Sequence, residues 1–204
     1  MKIPSYVVAA GVMVGVLGVT DTALRALPKS SLGTPATQLE VIAEQEYISR
    51  WHLPNASHNE KLVLEAMQER GITDEYALAV ILGNIKQESN FHSNICEGGH
   101  RVSYANCHWG GYGLIQWTCD SRYYGLGRHA DSLGLDPTSA EAQVSYIFQE
   151  QQWKDIEEGM KTPGKSLAFY MNKAYNWLGW GIHGNRTYYA QQYLSSMELK
   201  TTPK

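Results

Sequence analysis

The chain has 204 residues, of which 43% are hydrophobic and 11% aromatic, and its formal net charge is -3. This size and balance are typical of one globular domain with an appended segment. The sequence has no basic run, so nothing in its charge indicates a nucleic-acid partner.

An uninterrupted apolar stretch, YVVAAGVMVGVLGV, occupies residues 6–19. It is short for a membrane span and fits the core of a signal peptide. Ala23 and Ala26 lack the small-x-small spacing of a cleavage site, which keeps an uncleaved anchor open. We therefore expect residues 1–26 to form a hydrophobic helix that is a signal peptide or a membrane anchor. A buried core helix is the alternative interpretation.

A stretch rich in Pro, Ser and Gly (RALPKSSLGTPA) follows and predicts a linker. Thr37 and Glu40 then form a capping-box pattern, which predicts a short helix that Pro54 ends. We therefore predict a linker with a short helix over residues 27–56 and a folded domain over residues 57–200.

The predicted domain is mainly helical. Ser57 and Glu60 make a second capping box. Thr73 is predicted to cap the largely apolar helix DEYALAVILGNIKQES, and Ser139 is predicted to cap AEAQVSYIFQE. Two later segments, GKSLAFYMNKAYNWL and GNRTYYAQQYLSS, also have helical patterns. Between the helices, residues 90–118 are rich in Gly and Asn without helical period, which predicts an irregular or β-hairpin lobe.

Glu88 lies at the acidic end of a largely apolar helix stripe that also contains Ile81 and Ile85. Burial and the partial negative charge at a helix C-terminus both favour a protonated carboxyl group. A protonated glutamate is the general acid that glycoside cleavage requires. The spacing alone also fits a solvated glutamate at a helix end.

The segment GGYGLIQWT, residues 110–118, combines groups that suit a sugar-binding cleft. Its paired glycines allow close approach of the backbone to a ligand. We expect Tyr112 and Trp117 to stack on sugar faces, and Gln116 and Thr118 to bind hydroxyl groups or a water molecule. Taken alone, the segment also fits a turn that leads into the core.

ILGNIKQESNF followed by GGYGLIQWTCDSR resembles the phage tail lysozyme family of the lysozyme-like superfamily. The similarity extends over about residues 59–197. GLIQWTCDSRYYGLG also looks similar to family 19 chitinases, and AYN (residues 174–176) to a late motif of lytic transglycosylases. The resemblance implies a lysozyme-like α+β domain that cleaves the β-1,4 bond between N-acetylmuramic acid and N-acetylglucosamine in peptidoglycan.

The same resemblance implies that Glu88 is catalytic and that Gly113, Gln116, Trp117 and Thr118 form the cleft. It implies no cofactor and no metal. The protein would act for a phage, either in the virion, with virion proteins as partners, or as an endolysin at the host inner membrane or periplasm. A non-catalytic cell-wall-binding or structural virion protein with the same fold is the alternative.

An inverting hydrolase needs a second carboxylate roughly 6.5–9.5 Å from the acid to activate water. Glu97, Asp120 and Asp131 are candidates. Glu97 lies in the irregular segment that would face Glu88, although its position also fits a solvated loop acid; it is also a candidate substrate-binding residue. If none of them serves, the sugar's own 6-hydroxyl group would attack. The enzyme would then be a lytic transglycosylase.

Cys96, Cys107 and Cys119 lie in or beside the irregular segment. One disulfide would fasten this loop in an oxidising compartment, and a Cys96–Cys107 bond would close a hairpin. A zinc site with His100 and His108 is an alternative, although the spacing matches no standard zinc pattern.

Four further residues are assigned by position. Arg122 follows the Q-W-T motif and is predicted to pair with an acid or to hold the motif loop. Tyr175, Asn176 and Trp180 would line the far wall of the cleft, or else pack in the core.

Overall fold

The computed structural model describes residues 46–118 and 120–203, which belong to one compact unit. The predicted N-terminal hydrophobic helix, most of the predicted linker and Cys119 lie outside these residues. Within the described ranges, no helix is long and apolar enough to cross a membrane.

Helices form most of the described chain, as predicted. The helices are α1 (His58–Glu69), α2 (Glu75–Ser89), α3 (Asp120–Leu133), α4 (Ala140–Ile147), α5 (Gln151–Lys161), α6 (Leu167–Leu178) and α7 (Arg186–Ser196). Four short strands complete the fold: β1 (Tyr47–His52), β2 (Ile95–Cys96), β3 (His100–Arg101) and β4 (Glu198–Pro203).

Local capping sets where the helices begin. The capping box of α1 is confirmed, since the Ser57 backbone N–H donates to Glu60 at 2.8 Å and the Glu60 N–H donates to Ser57 Oγ at 3.3 Å. Ser139 caps α4, also as predicted. The prediction of Thr73 as the cap of α2 was wrong. Asp74 takes that position and accepts from the second and third helix N–H groups, because its carboxylate is the stronger acceptor.

Helix α2 is the centre of the core. Its residues from Ala77 to Ile85 are all buried, and it packs against α1, α6 and α7. The crossing with α7 is close, since a β-carbon on Gly83 would lie 2.5 Å from the backbone nitrogen of Ala190. The apolar stripe of α2 therefore lies in the middle of the domain, and its C-terminal end carries Glu88 to the surface.

The prediction of a helix that ends at Pro54 was wrong over Tyr47–His52. This segment is β1, and it pairs antiparallel with β4, from Tyr47 opposite Pro203 to His52 opposite Glu198. Gln68 holds β1 against α1, because its side chain accepts from the Trp51 N–H at 2.7 Å and donates to the Trp51 carbonyl at 2.9 Å. A partner strand about 150 residues away decides the conformation, and local helical periodicity contains no information about it.

The predicted hairpin lobe is confirmed. Strands β2 and β3 pair antiparallel, and Cys96 also bridges to Tyr112. The lobe is fastened to α4 by Gln143, which accepts from the Leu114 N–H at 2.8 Å and donates to the Ser93 carbonyl at 2.7 Å.

Candidate active site

Glu88 is the second-last residue of α2, and the helix stops directly behind it. Asn90 adopts the left-handed conformation and ends the helix. Ser89 is buried and donates to the carbonyl oxygen of Leu114 at 2.8 Å. The two predicted motifs, E-S-x-F and G-Y-G-L-x-Q-W-T, are thus joined by a direct hydrogen bond.

An open cleft of about 420 Å³ lies between the end of α2 and the hairpin lobe. The cleft collects four of the predicted site residues, namely Glu88, Glu97, Gln116 and Thr118. Ile95, Cys96, Gly98 and Gly99 complete its lining. Backbone from the lobe therefore forms one wall, and the acidic helix end forms the other.

A largely buried ion pair holds Glu88. Arg186, the first residue of α7, donates from Nη2 to Glu88 Oε1. Only 6% of the Arg186 side chain and 16% of the Glu88 side chain are exposed. Sequence reasoning missed this contact, because the two residues are 98 positions apart.

Arg186 is itself fixed from several sides. Its Nη1 donates to the carbonyl oxygens of Ile182 and His183 at 3.0 and 2.9 Å, and its guanidinium lies 4.6 Å from the ring centre of Trp180. Its Nε is buried and has no hydrogen-bond partner in the described part of the chain. This arrangement holds Oε1 of Glu88 against a guanidinium group that is itself fixed.

Glu97 lies in the opposite wall of the cleft. Its Oε2 accepts from the Gly111 N–H at 2.9 Å. A β-carbon on Gly110 would lie 2.2 Å from the same oxygen, so only glycine fits against this carboxylate. The glycine pair predicted to approach a ligand thus makes room for Glu97.

Gln116 and Thr118 also line the cleft. Gln116 has a φ of 55° and donates from its amide to the Gly113 carbonyl at 2.9 Å. Thr118 donates its hydroxyl to the Gln116 carbonyl at 2.8 Å and is exposed. Both side chains are within the cleft lining, so their predicted contact with a ligand remains a prediction that the geometry permits.

The stacking predicted for Tyr112 and Trp117 is contradicted by their burial, since neither ring has any exposed surface. Tyr112 donates to the Val102 carbonyl at 3.2 Å, and burial raises the pKa of its hydroxyl to about 12. Gly113 is also buried, with a φ of 74°, and the amide of Gln143 occupies the space where its side chain would be. These three residues support the motif loop from the core side.

The other two candidate carboxylates lie elsewhere. Asp120 is exposed at the start of α3 and lines a neighbouring pocket. Asp131 is eleven residues further along the same helix, which places it about 16 Å away along the axis. Of the three candidates, Glu97 alone shares the cleft with Glu88.

The remaining predicted residues lie outside the Glu88 cleft. Arg122 pairs with the buried Glu150 through two hydrogen bonds of 2.6 and 2.9 Å, as predicted for a pairing with an acid. Tyr175 is 48% exposed and packs edge-to-face on Trp180 at 5.2 Å, on the side of the site where Arg186 lies. Asn176 is exposed on α6 and does not line the cleft.

The predicted Cys96–Cys107 disulfide is present, with the two Cα atoms 5.6 Å apart. Two sulfurs bonded to each other do not offer thiolates to zinc. Among residues 46–118 and 120–203, no group of three or more His, Cys, Asp or Glu side chains is arranged to hold a metal ion.

A mainly helical domain, whose buried central helix ends in a glutamate that faces a small hairpin lobe across a cleft, is a lysozyme-like protein. Residues 58–197 match the family model described as phage tail lysozyme, which is well over half of the chain. The chain therefore belongs to the phage tail lysozyme family. No individual curated protein matches it significantly. Membership indicates a lysozyme-like function directed at peptidoglycan.

Proposed function

We propose that this protein cleaves the β-1,4 bond between N-acetylmuramic acid and N-acetylglucosamine in bacterial peptidoglycan, with Glu88 as the general acid. The observation that carries the proposal is the position of Glu88. Glu88 lies in the last turn of the core helix α2 and lines an open cleft together with a second carboxylate, Glu97. The family match supports peptidoglycan as the substrate.

The geometry at Glu88 suits donation of a proton from one defined oxygen. Arg186 occupies Oε1, and Oε2 accepts no hydrogen bond from the described residues. In the neutral acid, Oε1 accepts from the guanidinium while the proton resides on Oε2. The glycosidic oxygen would receive that proton as the bond to the sugar breaks.

Glu97 is the proposed second carboxylate. The Gly111 N–H holds its Oε2, and Oε1 accepts no hydrogen bond from the described residues. That oxygen can take a proton from a water molecule that attacks the opposite face of the sugar. Hydrolysis then leaves a reducing N-acetylmuramic acid end.

A lytic transglycosylase is the second candidate. The observation in its favour is that Glu97 is already held by the backbone of the lobe. Without a base on Glu97, the 6-hydroxyl group of the sugar attacks and Glu88 acts as acid and then as base. The product is an anhydromuramic end that is lighter by one water molecule.

The test is digestion of purified peptidoglycan by the full-length chain, with mass analysis of the released fragments. Glu88→Gln should abolish release. Glu75→Gln is the matched control, because Glu75 begins the same helix about 20 Å from Glu88. Full activity in Glu88→Gln would refute the acid role, and a Glu97→Gln variant that still gives reducing ends would remove Glu97 from the mechanism.

We also propose that the protein is associated with the phage virion and opens the cell wall locally during genome entry. The family description supports virion association. Detection of the chain in purified virions, by mass spectrometry that also reads its N-terminus, tests this placement. A chain found only in lysed host cells would favour the endolysin role and the proposed N-terminal anchor.

A further inference from the structure

A second open space lies on the far side of α2 from the Glu88 cleft. Two adjoining pockets of about 530 and 380 Å³ both have Glu60 and Lys86 in their lining, and we call them together the Glu60–Lys86 groove. Lys86 is two positions before Glu88, so the two side chains leave the helix about 200° apart. In the described part of the chain, the groove and the cleft share no lining residue. The groove is therefore separate from the proposed catalytic centre.

Lys86 carries a half-buried ammonium group into this groove. The ammonium lies over two rings of α7, 5.4 Å from the ring centre of Tyr189 and 5.3 Å from that of Tyr193. Ring faces attract a cation, but they do not replace the acceptors that its three N–H groups need. Within residues 46–118 and 120–203, no acceptor forms a hydrogen bond or an ion pair with this ammonium. A half-buried ammonium in this state indicates a place for an anionic group of a ligand.

Glu60 supplies the opposite charge. The Tyr193 hydroxyl donates to its Oε1, and the Ser57 N–H donates to its Oε2. Burial raises the pKa of the Glu60 carboxyl, but these hydrogen bonds and the positive charge of Lys86 outweigh it, so that the group is ionised at neutral pH. Each oxygen of a carboxylate accepts more than one hydrogen bond. The Glu60 carboxylate can therefore also bind an ammonium group of a ligand.

The lining of the groove disfavours the other common ligands. The rings of Tyr193 and Phe91 are only 5% and 3% exposed, so they present almost no face on which a sugar could stack. Glu198 adds a second carboxylate, which opposes a phosphate group or a nucleic acid. A ligand with one positive and one negative charge close together fits this lining best.

We propose that the Glu60–Lys86 groove binds an α-amino acid head group, in which an ammonium and a carboxylate share one carbon. Lys86 binds the carboxylate and Glu60 binds the ammonium. The free end of a diamino acid in a peptidoglycan stem peptide carries such a head group, and this choice of source rests on the proposed function. The groove would hold the domain on the cell wall through a peptide while the cleft acts on the glycan.

The test is calorimetric titration of the full-length protein with two sugar-free stem tripeptides. Both end in meso-diaminopimelic acid and are acetylated at the N-terminus, and the second is also acetylated on the side-chain amine. The first should bind about tenfold more tightly, because acetylation removes the ammonium that Glu60 binds. Lys86→Met should raise the Kd of the first tripeptide about tenfold, because it removes the cation that binds the carboxylate.

Lys173→Met is the matched control. Lys173 is also half-buried and lies over a ring, that of Phe169 at 5.5 Å, but it belongs to α6 and does not line the groove. The control variant should leave the Kd of the first tripeptide unchanged.

The proposal is overturned if neither tripeptide binds, if the two bind equally, or if Lys86→Met leaves the Kd unchanged. The comparison of the two tripeptides needs no variant, so it decides the proposal even if Lys86→Met does not fold. Free meso-diaminopimelic acid distinguishes the sources. If it binds as tightly as the first tripeptide, the groove recognises a free amino acid and the stem peptide is excluded as the source, whereas weaker binding supports the stem peptide. Cleavage is measured separately, so tripeptide binding by a protein that does not cleave peptidoglycan would refute the proposed function and leave the head-group site standing.

Discussion

Loss of the ion pair between Arg186 and Glu88 should destabilise the domain strongly. Replacing Arg186 by Met leaves the Glu88 carboxylate next to an apolar side chain, with 16% of its surface exposed. It also removes two hydrogen bonds to backbone carbonyls and the contact with Trp180. Breaking one side of a buried pair costs about 3–5 kcal/mol, and since Glu88 keeps some water we expect a loss of about 3 kcal/mol in the free energy of unfolding.

Arg70 gives a comparison with a more exposed pair that has a second cation. It makes two hydrogen bonds to a buried carboxylate, Glu157, but 42% of its side chain is exposed. Lys161 remains 3.2 Å from that carboxylate when Arg70 is removed. Arg70→Met should therefore cost only about 1 kcal/mol.

Urea unfolding of the full-length chain gives both numbers, and a double-mutant cycle tests the reasoning. With Gln already at position 88, Arg186→Met should cost at least 1 kcal/mol less, because no charge is left unpaired. If Arg186→Met costs the same with Glu or Gln at position 88, the pair does not hold Glu88 and the orientation argument fails.

Three further perturbations have definite expected outcomes. Replacing both Cys96 and Cys107 by Ser should lower the free energy of unfolding by about 3 kcal/mol, which is typical of a disulfide that closes a loop of this size. If the oxidised and the reduced parent protein unfold at the same denaturant concentration, this prediction is wrong. Burial raises the pKa of Glu60, but hydrogen bonds from Tyr193 and from the start of α1 outweigh it and lower the pKa below 4.5. The stabilising contribution of the Glu60 carboxylate is thus complete above pH 4.5 and is lost as the pH falls through the lowered pKa. When unfolding is measured against pH, the difference in the free energy of unfolding between the parent and Glu60→Gln should therefore shrink only in acid. Gly83→Ala should cost more than 2 kcal/mol in thermal unfolding, because the new methyl group would strike backbone of α7, and a neutral effect would mean that the two helices can separate freely.

The helices could be predicted from the sequence because their signals are local. The capping box at Ser57 and the serine cap at Ser139 lie within a few residues of the helices that they start. The same is true of Glu88, whose position on α2 follows from periodicity alone. The cysteine spacing likewise allowed the Cys96–Cys107 pair to be named among the alternatives.

The errors came from contacts that the local sequence does not encode. Whether Tyr112 and Trp117 face a ligand or the core depends on the α3 and α4 side chains packed behind them. The sequence did contain one local indication that Arg186 has a partner elsewhere. A cation in the first turn of a helix is unfavourable next to the helix dipole, so its presence at the start of α7 indicates a partner elsewhere.

The pairing of β1 with β4 has a mechanical consequence. Tyr47 lies opposite Pro203, so the chain enters and leaves the domain side by side at the same end of this ribbon. A force that pulls these two ends apart would load the hydrogen bonds of the ribbon one at a time, like a zipper, and not all together in shear. The two strands would separate at low force while Gln68 still holds Trp51. The helices that form the cleft would therefore stay folded during the first lengthening of the chain.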